Sequence, residues 1–364
     1  MSLQFNRLCR IGVRKYNDPL PRYFDQRLNI SAAINKTSDG EFNFARVAIN
    51  NLSRDSQQFI ENAAAFSDLN ISKLTIEVGY DPVISADPKS GWEVVFNGDL
   101  LYAESNLFGV DSVTTLEGGE GARAYQLAFV NKSFGPTTLV FEIFDFLVKS
   151  FELFGVERSI DFEATILRVA GSTVINPNTF STPNTESHTR PDVSVILGQD
   201  ITKLGDLGIN ALDVPPIGTN LLNANIDPKF TGLVVGNKKK DPTEDAFFGL
   251  ALYGYARDFL DKLCARHGLV WFIDNNVLEI IGADEWIETG LIITPSNGLI
   301  GSPIRGPNGQ VQTAMLIRSN ISPYKAYNLE SKYISGKLRA RRVYHALETR
   351  GDAWVTNCEN DSLG

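Results

Sequence analysis

The chain has 364 residues, 43% hydrophobic and 21% charged, with a formal net charge of -9. That is the composition of a folded protein long enough for two to four domains, and its acidic balance argues against a reader of nucleic-acid sequence, which needs a basic face. Three widely spaced cysteines make no disulfide framework, the opening MSLQFNRLCRIGVRKYNDPLP holds no signal-peptide core, and no apolar run is long enough to span a membrane.

From the N-terminus to about residue 130 the pattern is β. LCRIGVRKY, RLNISAAINK, FNFARVAINNL, SKLTIEVGY and WEVVFNGDLLYAESN are strand-length and rich in Val, Ile, Thr and aromatics. Asn17-Asp18-Pro19, Ser38-Asp39-Gly40 and Gly118-Gly119-Glu120-Gly121 punctuate them as turns. The last of these is expected to lead into another strand rather than a helix, so it offers no phosphate cradle. Ser53 is positioned to N-cap a single helix over RDSQQFIENAAAF.

The period then changes. PTTLVFEIFDFLVKSFELFG is bounded by Pro136 and Gly155, which predicts a helix over 137–154. Glu142, Asp145, Lys149 and Glu152 form its one narrow polar stripe. The rest is apolar, with Phe141, Phe144, Phe146, Phe151 and Phe154 prominent, so the helix must be covered on most sides. The cover is a neighbouring domain or a neighbouring subunit, which makes Phe144 a candidate subunit-interface residue. A membrane surface is disfavoured by the net negative charge. Residues 172–245 are polar and rich in Pro, Asn and Thr, an inserted arm or long loop. Lys238-Lys239-Lys240 is a solvated turn, and Asp241 with Glu244 makes a capping start.

The segment LCARHGLVWFIDNNVLEII, Leu263 to Ile281, gathers residue types that often build a site. Cys264 and His267 lie one helical turn apart, but zinc wants three or four such ligands. Cys264 shares an apolar stripe with Phe259, Leu260 and Leu263, and Gly268 stands where a helix C-cap wants a positive φ. Leu269 to Ile273 alternates, Asp274, Asn275 and Asn276 are turn chemistry, and Val277 to Ile281 returns as a strand. A helix, a β-hairpin and a packed cysteine, with no metal, are expected here. GQVQTAMLIRSN, KAYNLESKYISG, LRARRVYHALE and AWVTNCE restore β character to the end.

No hydrolase, metalloprotease, P-loop or dinucleotide fingerprint occurs. His188, His345 and Cys358 are expected to be structural or exposed. Arg339, Arg341 and Arg342 form the densest basic cluster. Regular alternation places Arg339 and Arg341 on one strand face, with Arg342 and Tyr344 on the other. They are candidate subunit-interface residues. Catalytic, cofactor and metal residues are expected to be none.

The late segments ARDFLDKLCARHGLVWFIDNNVLEII, GLIGSPIRGPNGQVQTAMLIRSNISPY and VYHALETRGDAWVTNCE, with FARVAINNLSRDSQQFIENAAAF and VVFNGDLLYAESNLFGVDSVTTLEGG, resemble the phage baseplate (tail) hub protein family. The resemblance covers about two thirds of the chain in pattern and order. It leaves 172–245 without a counterpart.

It implies a mainly β fold with α+β insertions: two tail-tube-like β-barrels, a helix and insert region, and a small helix-hairpin domain. The corresponding divisions are 1–135 for the first barrel, 136–245 for the Phe-rich helix and polar insert, 246–282 for the helix-hairpin unit and 283–364 for the C-terminal barrel. It further implies a non-enzymatic homotrimeric ring in the virion tail baseplate, assembled in the host cytoplasm, that adapts a sixfold tube to a threefold spike. Implied partners are a tail tube or tube adaptor, a central spike, a tape-measure protein and other baseplate proteins. DNA passes without specific binding, past a lining that is acidic or neutral overall because 43 acidic residues face 34 basic ones. The competing reading is a β-protein that binds or degrades host-surface glycans.

Overall fold

The computed structural model describes residues 7–38, 40–65, 71–80, 91–135, 138–170 and 250–363. The polar segment 172–245, with the expected Asp241 cap and the Lys238–Lys240 turn, lies outside them, as do Asp39, Pro136 and His188.

The N-terminal strands follow their alternating pattern. They are β1 (Arg7–Arg14), β2 (Arg22–Asp25), β3 (Ile30–Thr37), β4 (Phe44–Asn50), β5 (Lys73–Tyr80), β6 (Glu93–Phe108) and β7 (Asp111–Gly119). Their inward positions, among them Ile11, Ile34, Val47, Ile76 and Phe96, make one core. Helix α1 (Arg54–Ala64) covers it with Ile60 and Ala63, and Ser53 Oγ accepts from the Ser56 amide at 3.4 Å, the expected N-cap.

Next come α2 (Ala122–Leu127), β8 (Phe129–Phe134), α3 (Val140–Glu152), β9 (Glu157–Arg158) and α4 (Phe162–Ala170). After the undescribed segment follow β10 (Leu250–Tyr255), α5 (Ala256–Arg266), β11 (Leu269–Asp274) and β12 (Val277–Gly282). Helix α3 is the Phe-rich helix. It buries Ile143, Phe144, Leu147 and Phe151 against α5, α4 and the β11–β12 hairpin, while Glu142 and Lys149 stay exposed. Each fully buried Phe or Leu contributes about 1.5–3 kcal/mol of transfer free energy. Helix α5 ends as expected, with Gly268 at φ +65° after His267, and the chain turns into the hairpin. Among the described residues no helix is long and apolar enough to cross a membrane.

The C-terminal strands are β13 (Ile287–Ile293), β14 (Leu299–Arg305), β15 (Val311–Leu316), β16 (Lys325–Glu330), β17 (Ser335–Glu348) and β18 (Trp354–Ser362). They enclose a third core around Met315, Tyr327, Leu338, Val343 and Cys358.

The architecture is mainly β with an α+β insertion, as expected. Among the described residues the two β lobes do not close as separate cylinders. They are joined in one 13-stranded sheet, ordered β14-β15-β18-β17-β3-β4-β7-β6-β5-β1-β2, with β13 and β16 attached to β17. Strand β17 is the seam. Its first part pairs with β16, and from Arg342 onward it pairs with β3. A bulge between Ala340 and Arg342 divides the two halves. A bulge adds one residue and bends the strand, so one long strand serves both lobes.

Candidate functional site

The hairpin tip that read as turn chemistry is a turn, and it is also the hub of a buried charge network. Asn275 and Asn276 take φ of +51° and +67° between the paired residues Asp274 and Val277, a two-residue hairpin turn that Asn tolerates. This projects three polar side chains into the junction of the three cores.

Asp274 Oδ1 accepts from Lys36 Nζ at 2.7 Å. Its Oδ2 accepts from Lys325 Nζ at 2.7 Å and from Ser322 Oγ at 2.8 Å. Lys36 Nζ also donates to Asn275 Oδ1 at 3.2 Å and lies 3.0 Å from Glu120 Oε1. Asn43 Nδ2 donates to Glu120 Oε2 at 2.7 Å and to the Ile273 carbonyl at 2.8 Å. A second arm runs from the same tip: Lys73 Nζ donates to Asn276 Oδ1 at 3.0 Å and to Asp99 Oδ1 at 2.7 Å. Asp99 Oδ2 then accepts from the Arg123 amide at 2.9 Å, and Asn276 Nδ2 donates to the Gly155 carbonyl.

The central charges balance, two cations against two carboxylates, with Lys36, Glu120 and Asp274 all buried. Burial works against the Asp274 charge, yet Lys36 and Lys325 hold its carboxyl well below the usual carboxylate range. Burial lifts Glu120 above that range, with Lys36 opposing and Asp274 adding to the rise. Burial also pulls on Lys36, but Asp274 and Glu120 keep it above its ordinary value. His345, fully buried, donates or accepts at Thr356 Oγ1 through Nδ1 at 2.9 Å. Burial and the nearby Lys36 depress it to about 3.

The centre of the network, Lys36, Glu120 and Asp274, is closed to solvent, and Lys325 stands at its edge with 22% of its side chain exposed. The network's chemistry is fixation. β3, the end of β7, the β11–β12 tip, Ser322 and β16 each supply a polar group, and Glu120 Oε1, with no hydrogen-bond partner, relies on its ion pair with Lys36, so the buried charges are compensated by this arrangement of the lobes.

None of these residues was singled out as a site in the sequence. The available signal was strand parity. Ile30, Ala32 and Ile34 face the core, and Lys36 continues the same alternation. The Gly118–Gly121 expectation needs correction, because a helix, α2, does follow it. It is packing that occupies this segment: a Cβ on Gly121, at φ +60°, would fall 2.5 Å from Ile273 Cδ1.

The arginine cluster also differs from its expected layout. The bulge at Arg341 resets the alternation, so Arg339, Arg342 and Tyr344 all lie opposite the core-facing Ala340 and Val343. Arg339 pairs with Asp361 at 3.1 Å and donates to the carbonyls of Ala283 and Glu285. Arg342 lies 3.6 Å from Glu359, and Arg341 is exposed on the bulge. Phe144, a candidate interface residue, is 0% exposed in the single chain, its ring edge-on to His267. Cys264 is buried in the same core, which pushes its thiol up.

Superposed on solved structures, the chain matches the 43 kDa tail protein of prophage MuSo2 from Shewanella oneidensis with a TM-score of 0.50, over 97% of this chain and 98% of that one, at 8% identity. The fold is that of a phage tail protein. A tail protein from Neisseria meningitidis MC58 gives a TM-score of 0.46 at 8% identity over 98% and 97% of the two chains. A component of the E. coli type VI secretion system gives 0.45 at 9% over 92% and 74%. No family model matches the chain, and no curated protein matches it significantly. The likeness to the Shewanella protein thus lies in a tail-protein fold held end to end, both β lobes and the helical unit included, with almost no shared sequence.

Proposed function

We propose that this chain is a structural hub of a phage tail baseplate, a homotrimeric ring around the genome-delivery channel that adapts a sixfold tail tube to a threefold central spike. The observation that carries the reading is the correspondence with a tail protein over nearly the whole of both chains. The two β lobes would present similar surfaces, so three copies would offer six lobes to the tube and three subunits to the spike. The working units on this reading are 1–135, 136–245, 246–282 and 283–364.

The charge network supports the same reading. An adaptor must hold its lobes at a fixed angle, and a latch from Lys36 through Asp274 to Lys325 does that without a ligand. Its partners would be a tube or tube adaptor, the spike, a tape-measure protein and other baseplate proteins. DNA would pass without specific binding, the protein would act without catalysis, and its place would be the virion tail. Light scattering on the purified protein, alone and with its spike, tests this. A mass of three protomers supports it, and a monomer in both samples contradicts it.

A further inference from the structure

The two β lobes are built on one strand plan. In chain order β1, β3, β4, β5, β6 and β7 correspond to β13, β14, β15, β16, β17 and β18. The sheet order is the same in both, β3-β4-β7-β6-β5-β1 and β14-β15-β18-β17-β16-β13. The departures are β2, which has no counterpart, and β13, which runs parallel to β16 where β1 runs antiparallel to β5. The correspondence extends to single residues. β6 carries a bulge against β7 between Leu100 and Tyr102, as β17 does against β18 between Ala340 and Arg342. Aligned on these bulges, the opposed pair Ser105 and Thr114, hydrogen-bonded at 3.0 Å, stands where His345 and Thr356 bond at 2.9 Å.

Within the chain, the half of β17 beyond its bulge joins the lobes. Residues 342–348 pair with β3 of the N-terminal lobe, and Leu347 lies at 0% exposure in that lobe's core. The same half of β6, residues 102–108, pairs with β7 alone among the described residues. Leu107, the counterpart of Leu347, is 75% exposed. The counterpart of β3 is β14, which ends the sheet and pairs with β15 alone among the described residues. Each chain therefore has one joining half-strand and one receiving edge left over. An unpaired strand edge is a template for pairing with another chain.

We propose that copies of this chain join head to tail by repeating the joint found within it, residues 102–108 of one protomer pairing antiparallel with the free edge of β14 in the next. The inference rests on the homotrimer reading above and names the contact that builds it. The two edges differ, so the contact is heterologous, and repeated contacts of that kind close into a ring when the rotation between copies allows.

The internal joint also sets the register. Ser31 and Ala33 of β3 pair with Glu348 and Ala346 of β17, and Ile300 and Ile304 hold the places of Ser31 and Ala33 in the C-terminal lobe. Phe108 thus faces Ile300 and Asn106 faces Ile304, with residues 301–303 as a bulge across from Leu107. Pro303 offers no amide to a ladder, so the pairing rests on the residues either side of the bulge. Phe108 and Ile300, 66% and 43% exposed in the single chain, cover each other, and Leu107 enters the C-terminal core as Leu347 enters the N-terminal one.

Cysteine pairs test the register. Directly opposed residues of antiparallel strands have Cα atoms about 4.5–5.5 Å apart, which a disulfide spans. F108C/I300C and N106C/I304C, oxidised, are each expected to give covalent dimers and trimers on non-reducing gels. F108C/I304C, out of register, and every single variant are expected to give none. β14 and β6 are the first and eighth strands of the chain's own sheet, so the bond forms only between copies. The native cysteines Cys9, Cys264 and Cys358 are buried and do not compete. L107D is expected to weaken self-association by at least roughly thirtyfold, the loss typical of a buried anchor, and to keep the parent's circular-dichroism spectrum. A trimeric parent, with a trimeric L107D variant and no covalent ladder from either in-register pair, overturns this contact and leaves the ring standing. Equal ladders from the in-register and out-of-register pairs overturn it as well. A parent that is monomeric at every concentration overturns both contact and ring.

Discussion

Replacing Lys36 with methionine removes the cation at the centre of the latch while keeping much of the stem's volume. In the parent, Nζ lies 2.7 Å from Asp274 Oδ1, 3.0 Å from Glu120 Oε1 and 3.2 Å from Asn275 Oδ1. Asp274 keeps Lys325 and Ser322, so the loss falls mainly on Glu120, which retains Asn43. Removing one partner of a buried ion pair costs about 3–5 kcal/mol. At about 2–4 °C per kcal/mol, that lowers the melting temperature by about 6 °C or more.

The defect also carries a pH signature. Burial already raises Glu120, and losing Lys36 raises it further. A carboxyl raised in the folded state contributes stability below its unfolded pKa and loses it as pH rises through the folded one, so the defect is smaller at a mildly acidic pH than at a neutral-to-alkaline pH. Adding Glu120→Gln recovers part of the loss by removing the stranded charge. Circular-dichroism melts at the two pH values read all of this. A Lys36→Met protein that melts within about a degree of the parent at both, or one worse at the lower pH, refutes the reasoning.

Other outcomes follow from the same packing. His345 is depressed from 6.5 to about 3, so its share of stability is present above its unfolded value and is lost as pH falls between the two. The slope is about 1.4 kcal/mol per pH unit, and His345→Gln is expected to flatten the melting curve's decline over that window, which denaturant titrations at stepped pH would show. Phe144→Ala leaves a cavity between α3 and α5 and costs about 3–5 kcal/mol, while Phe144→Asp strands a charge there and costs more; chemical denaturation measures both. Cys264→Ala costs about 1–3 kcal/mol of packing and leaves assembly intact, and elemental analysis of the parent is expected to find no stoichiometric zinc.

Local physics made much of the fold legible. Ser53, Gly268 and the Phe stripe of α3 mark structure within a few residues of themselves, so each can be read without knowing the rest of the chain. The hairpin from Leu269 to Ile281 is legible for the same reason. The latch is not, because Lys36 and Asp274 meet across 238 positions of sequence. Asp274-Asn275-Asn276 satisfies turn chemistry with its backbone alone, which hides what its side chains bind. Lys36 carried the one available warning, a charge on the inward parity of a strand, and an alternation that ends at a strand terminus is easily taken as exposure. The arginines were misassigned because a bulge at Arg341 is invisible to strict alternation. Glu120 looked like a turn residue because glycines flank it, whereas those glycines let β7, α2 and the hairpin approach closely enough to bury it.

The central claim is that three copies of this chain form a ring on the tail axis. An electron-microscopy reconstruction of the tail tip containing this chain tests it most directly. The account predicts a threefold ring coaxial with the tube, each subunit showing two β lobes locked by the Lys36–Asp274 network. A map with the chain off the axis, or present as single copies around it, would contradict the account.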